Sequence, residues 1–183
     1  PIFRPEHAEL WINQKPTLIT MIKIAIAFTF CAATFGVSAQ KTIGNVEIRD
    51  LDNRPVMSAD IILDGSPTLI VFWATWCSHT KDGLSTINDD YLEDWRDDYN
   101  LKVVAVSVDD SRNLNKVRPY VNGQGWEFDV YTDVNSDFKR IMNVNNAPFF
   151  MLLDKEGTVV WSHNSYAPGD EETIEEQLQE LNQ

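Results

Sequence analysis

The sequence predicts an α/β fold in which a mixed central sheet carries helices on both faces. Three observations lead there. A continuous apolar run, "TLIVFWA" at 68–74, and a largely apolar one, "LKVVAVSV" at 101–108, have the look of strands buried on both sides. Stretches with apolar residues at helical spacing alternate with such runs, the order of an α/β domain. Near the C-terminus two apolar runs flank a tight turn, which adds an antiparallel part to the sheet.

The elements follow in order. Residues 43–56 alternate apolar and polar side chains around "DLDNRP" and predict a short hairpin. After "DGSP" comes the strand 68–74, then a helix with Leu84, Ile87, Tyr91, Leu92 and Trp95 on one face and acids on the other. The strand 101–108 leads to a helix over 111–121, expected to break at "NGQG". "FDVYT" is a third strand, followed by a short helix around 138–142. "FFMLLD" and "TVVWSH" flank "KEG" and form an antiparallel hairpin. A helix over 171–181 closes the chain, with Ile174, Leu178 and Leu181 on one face and acids at its start, where they favour the helix dipole.

The beginning of the chain does not read as folded protein. Pro1 is no initiator, and the first methionine is Met21. From there "MIKIAIAFTFCAATFGVSAQ" offers a basic start at Lys23, an apolar run from Ile24 to Val37, and small residues up to Ala39, the layout of a signal peptide cleaved after Ala39. The run is shorter than the roughly 20 apolar residues of a membrane-spanning helix. The expected organisation is upstream sequence over 1–20, a signal peptide over 21–39 and one domain over 40–183, in an exported protein. The signal peptide implies the export machinery as its only partner.

A net charge of −13 over 183 residues makes nucleic acid and anionic membranes poor partners. The acids gather in "NDDYLEDWRDDYN" and "DEETIEEQLQE", read as solvated helix faces; neither has the alternating oxygen ligands of a calcium loop. Of two cysteines, Cys31 leaves with the signal peptide, so Cys77 stands alone in the mature chain.

Cys77 lies where a buried strand turns into a helix. A sulfur there faces the positive end of the helix dipole, which favours the nucleophilic thiolate. His79 and Lys81 are close enough in sequence to add positive charge, although an exposed helix-start residue is the plainer reading of His79. Cys77 and His79 lack further ligands at metal-binding spacing, and no cofactor or metal is expected. Far along the chain, Ala147-Pro148 stands just ahead of the strand "FFMLL", a position proline tolerates at a strand's start. Trp73, Trp126 and Trp161 are core candidates, and Trp76 beside the cysteine is a candidate contact residue.

"VFWATWCSHT", the strand-helix order and "NNAPFFMLLDKEGTVVW" together resemble the exported thioredoxin-like proteins of the TlpA and ResA type, in the redoxin family. The resemblance covers roughly 43–181 and includes an inserted strand-helix unit, "FDVYTDVNSDFKRIM". It implies a thioredoxin-like fold, a periplasmic location, and partners that are thiol- or disulfide-bearing proteins or small thiols. Cys77 matches the attacking cysteine of the family's Cys-x-x-Cys site and Trp76 the tryptophan before it. Pro148, after Ala147, matches the cis-proline that faces the sulfur and helps to hold extended substrate. Three positions depart: Thr80 replaces the resolving cysteine, Gly83 an acid near the site, and Ser85 a proline of the helix.

A two-cysteine site passes a disulfide on because its second thiol attacks the mixed disulfide made by the first. Without sulfur at position 80, three readings stay open. Cys77 acts as a monothiol on disulfides or oxidised thiols, with Thr80 giving the sulfur a hydroxyl hydrogen bond. Alternatively, catalysis is lost and the groove beside Pro148 binds extended peptide. The third is a peroxidase of the peroxiredoxin kind, whose threonine three residues before the cysteine is here Ala74, with Thr75 only two before.

Overall fold

The computed structural model describes residues 41–62 and 65–182. The upstream segment, the signal peptide and Cys31 fall outside the described residues. Seven strands form one sheet in the order β2-β1-β5-β4-β3-β6-β7. They are β1 (Glu47–Asp50), β2 (Pro55–Met57), β3 (Thr68–Trp73), β4 (Lys102–Ser107), β5 (Asp129–Thr132), β6 (Phe149–Leu153) and β7 (Val159–His163). β3, β4 and β5 run parallel, while β1 joins β5 and β6 joins β3 antiparallel, so the sheet is mixed.

The apolar runs sit where their patterning puts them. Every residue of β3 is buried, because β3 is flanked by β4 and β6 and covered on both faces. Its alternate residues serve two layers: Leu69, Val71 and Trp73 face one cluster, Ile70 and Phe72 the other. The first layer takes in helices α1 (Ser78–Thr86), α2 (Leu92–Tyr99), α3 (Leu114–Gln124) and α5 (Asp170–Leu181) through Leu84, Trp95, Val117 and Leu178. The second holds α4 (Asp137–Ile141), whose Phe138 packs on Phe72 at a centroid distance of 5.3 Å, and a 3-10 turn at Ser58–Ile62. Each fully buried Leu or Phe in these layers contributes about 1.5–3 kcal/mol by leaving water.

The structure differs from the expected elements at four points. The helix after Cys77 is not uniform, since Ile87–Tyr91 forms a π turn between α1 and α2. This wider turn absorbs the five-residue step from Ile87 to Leu92 and keeps both buried. α3 starts at Leu114 instead of 111, because Asp110 makes a turn that takes the amides of Asn113 and Leu114 on its carbonyl, both at 2.9 Å. α3 also runs through "NGQ" to Gln124 and ends at Gly125, whose φ of 68° supplies the left-handed cap. The acids at the start of α5 are not all solvated: Glu171 is buried.

Candidate active site

β3 delivers the chain to the C-terminal end of the parallel strands. The turn from Ala74 is closed by the Cys77 amide donating to the Ala74 carbonyl at 3.0 Å. Cys77 is the N-cap of α1 with extended backbone, φ −95° and ψ 101°. Its side chain makes no capping hydrogen bond, so the sulfur is not held by the first-turn amides. Instead the Thr80 hydroxyl, fully buried one turn along, donates to Sγ at 2.9 Å. On the other side Sγ lies 3.8 Å from the Ala147 carbonyl oxygen, and the Ala147-Pro148 peptide is cis.

The structure thus brings Cys77, Thr80, Ala147 and Pro148 together across two elements distant in sequence. Trp76, next to the half-buried sulfur, is 62% exposed and offers an indole face to anything that approaches. Among the described residues, no charged side chain is hydrogen-bonded to the sulfur. His79 is exposed, and Lys81 places its ammonium over the Tyr120 ring, 5.0 Å from the centroid. The sulfur's local hydrogen-bond donor is a neutral hydroxyl.

The substituted positions have neighbours that account for them. A Cβ at Gly83 would come within 2.8 Å of the Tyr166 ring, which lies against that turn of α1. Tyr166 stacks on Phe150 with centroids 6.0 Å apart and donates its hydroxyl to Glu171 Oε1, while Glu171 Oε2 accepts the Gly169 amide at 2.9 Å. Burial, and then the bond to Glu171, push the Tyr166 phenol up to about 12. An aromatic ring therefore fills the space where an acidic side chain would begin. Ser85 accepts the Trp126 indole N–H at 3.2 Å, which ties α1 to the segment after α3.

Sequence reading missed Asp109. It is 1% exposed just past β4, and its Oδ1 and Oδ2 take the Thr75 hydroxyl at 2.7 Å and the Thr75 amide at 2.9 Å. Ser107 also donates to Oδ2, at 2.8 Å. With its hydroxyl bound to Asp109, Thr75 does not offer it to a peroxide at Cys77. The acidic pair "DD" after a buried strand was visible, but its partner 34 residues upstream was not. Among the described residues, no group of three or more His, Cys, Asp or Glu side chains converges as a metal site would.

Comparisons with known proteins bear on the family and the fold. The family described as AhpC/TSA matches residues 39–162. A thioredoxin-like protein from Porphyromonas gingivalis, solved in solution, is similar with 34% identity and a TM-score of 0.68, over 76% of this chain and 90% of that one. The thiol-disulfide oxidoreductase ResA of Bacillus cereus is 24% identical over 74% of this chain and 78% of its own length. A Chlorobium tepidum structure, provisionally described as the thiol:disulfide interchange protein DsbE, has 22% identity and a TM-score of 0.67, over 78% of this chain and 96% of that one. The fold is thioredoxin-like.

Proposed function

Since the chain belongs to the AhpC/TSA family, in its thioredoxin-like TlpA/ResA branch, we propose that it works as a monothiol disulfide-exchange protein through Cys77. The observation that carries this reading is the Thr80 hydroxyl on Sγ at 2.9 Å: the site keeps a hydrogen-bond donor for a thiolate where a second thiol would stand. In the first step the Cys77 thiolate attacks one sulfur of a disulfide, forming a mixed disulfide and releasing the other half as a thiolate. In the second, an external thiolate attacks the mixed disulfide and Cys77 leaves as a thiolate. Electrons come from that external thiol, because position 80 has no sulfur to give them. Substrate approaches beside Trp76, Ala147 and Pro148, and His79 at the helix start lies on its path. The partners are thiol- or disulfide-bearing proteins or small thiols, as the names of the relatives suggest, and the protein meets them after export to a bacterial periplasm. N-terminal sequencing of periplasmic protein should find Gln40 first; a retained 21–39 segment would count against export by a cleaved signal.

The test incubates reduced protein with a peptide disulfide and follows the mixed disulfide by mass, with Cys77→Ser as the blank. Formation of the adduct and its release by added thiol are expected. A second reading is favoured by the Tyr166 ring over Gly83, which leaves no room for an acid at that position: the groove beside Pro148 binds extended peptide without turnover. Peptide binding that is equal in wild type and Cys77→Ser, with no adduct, would establish that reading and refute the first.

A further inference from the structure

The geometry points to Asp109 as a positioning residue for Cys77: it holds the turn that carries the sulfur against the end of β4. The catalytic consequence rests on the monothiol reading, whereas the tether itself does not. Asp109 accepts three hydrogen bonds, two of them from Thr75, and its own amide donates back to Ser107 Oγ at 3.1 Å. All these partners are neutral, and the carboxylate is 1% exposed. A buried carboxylate is costly unless its oxygens are bonded, so the position demands a reason.

Two oxygens supply it. One takes the Thr75 amide and the other the Thr75 hydroxyl, so a single side chain fixes both the place and the orientation of that residue. Cys77 follows two residues later, in the turn closed by its amide on Ala74. The sulfur must meet the Thr80 hydroxyl on α1 and the Ala147 carbonyl on a separate loop. Registering those two elements requires the intervening turn to be pinned from below, and Asp109 is the side chain that pins it. A displacement of about 1 Å in a reacting group can lower a rate by about a hundredfold.

The experiment compares two reactions of the same thiol. One is attack on a peptide disulfide, which needs alignment along the groove beside Pro148; the other is alkylation by iodoacetamide, which does not. In Asp109→Ala, which removes all three bonds, the ratio of the two rate constants should fall about tenfold or more. Asp109→Asn should stay within about threefold of wild type, because its amide oxygen can take the Oδ2 bonds and its NH2 can donate to the Thr75 hydroxyl. Thr75→Val keeps the amide bond and should fall between. Amide exchange at 75–77 should quicken in Asp109→Ala while Ile70 to Phe72 in β3 stays as slow as in wild type.

An unchanged ratio and unchanged exchange in Asp109→Ala would overturn the proposal, as would Asp109→Asn falling as far as Asp109→Ala. If Asp109→Ala does not fold, Thr75→Val decides: a lowered ratio with slow β3 exchange supports the tether, and a wild-type ratio refutes it. Wild type that never attacks the peptide disulfide would sink the monothiol reading alone, and the tether would then be judged by exchange at 75–77.

Discussion

Replacing Gly83 with alanine tests the packing that excludes an acid from this site. In an exposed helix the change would help by about 1 kcal/mol, because glycine is the poorer helix former. Here the new Cβ would sit 2.8 Å from Cδ2 and Cε2 of Tyr166 and 3.0 Å from Cγ, where ordinary contact begins at 3.4 Å. The ring would have to retreat by roughly 0.6 Å, the shortfall between those distances. It has little freedom to do so, being stacked on Phe150 and bonded to Glu171. Overpacking of this kind costs about 1–3 kcal/mol, and weakening a buried bond to a carboxylate adds about 1.5–3 kcal/mol if it is lost outright. Offsetting the helix gain leaves a net loss of about 0–2 kcal/mol with the Glu171 bond intact and about 1.5–5 kcal/mol with it lost. At about 2–4 °C per kcal/mol for a chain of this size, Tm should fall by up to about 8 °C in a circular-dichroism melt with that bond intact and by about 3–20 °C with it lost. Gly83→Ala with Tyr166→Leu should lose much less than the sum of the two single changes. A second readout is the tyrosine absorbance at alkaline pH, with Tyr166→Phe identifying the band. The folded phenol is raised from 10.0 to about 12, so its stabilisation is full below 10 and is lost as pH rises through about 12. Gly83→Ala should bring that titration back toward the ordinary value. A variant as stable as wild type, or more so, would show that Tyr166 does not press on Gly83.

Three other outcomes are expected. Thr80→Cys should oxidise within the molecule, losing two free thiols, and should exchange disulfides without an external thiol; retention of both thiols under mild oxidation would contradict the contact between position 80 and Sγ. Thr80→Val should slow attack of Cys77 on a disulfide by about tenfold, the worth of one hydrogen bond to a charged sulfur, and an unchanged rate by stopped-flow would remove the hydroxyl from the mechanism. Burial holds the Asp133 carboxyl above its usual range, against the pull of the amides it accepts from Lys139 and Phe138. Its stabilising share is therefore full below the unfolded value of 3.8 and lost as pH rises through the folded one, so wild type should gain on Asp133→Asn as pH is lowered in denaturant titrations.

The centre of the sheet was legible because β3 and β4 come from long, largely apolar runs that could hardly be anything but central. Cys77 at the strand-helix junction and Pro148 before β6 were legible for the same reason, since each is placed by a neighbouring run. The helix ends were less so. Gln124 continues α3 because Gly125, not the earlier Gly123, takes the left-handed cap. The π turn follows from keeping Ile87 and Leu92 on one buried face, which simple 3.6-residue spacing does not reveal. The sulfur's surroundings were the least legible part. Lys81 goes to Tyr120, Glu171 turns inward to Tyr166, and Asp109 reaches back to Thr75; each is decided by a partner more than two residues away, and two of them lie on other elements.

The hydroxyl at position 80 also changes how the protein would answer to its surroundings. A dithiol that closes its own disulfide returns two molecules of small thiol for each oxidant consumed, so its redox state varies with the square of the thiol concentration. A solitary sulfur trades one for one, and its occupancy follows the plain ratio of disulfide to thiol. Dilution of the pool at constant ratio would shift the first kind and leave Cys77 where it was. Such a site reports the composition of the thiol pool and is indifferent to its size.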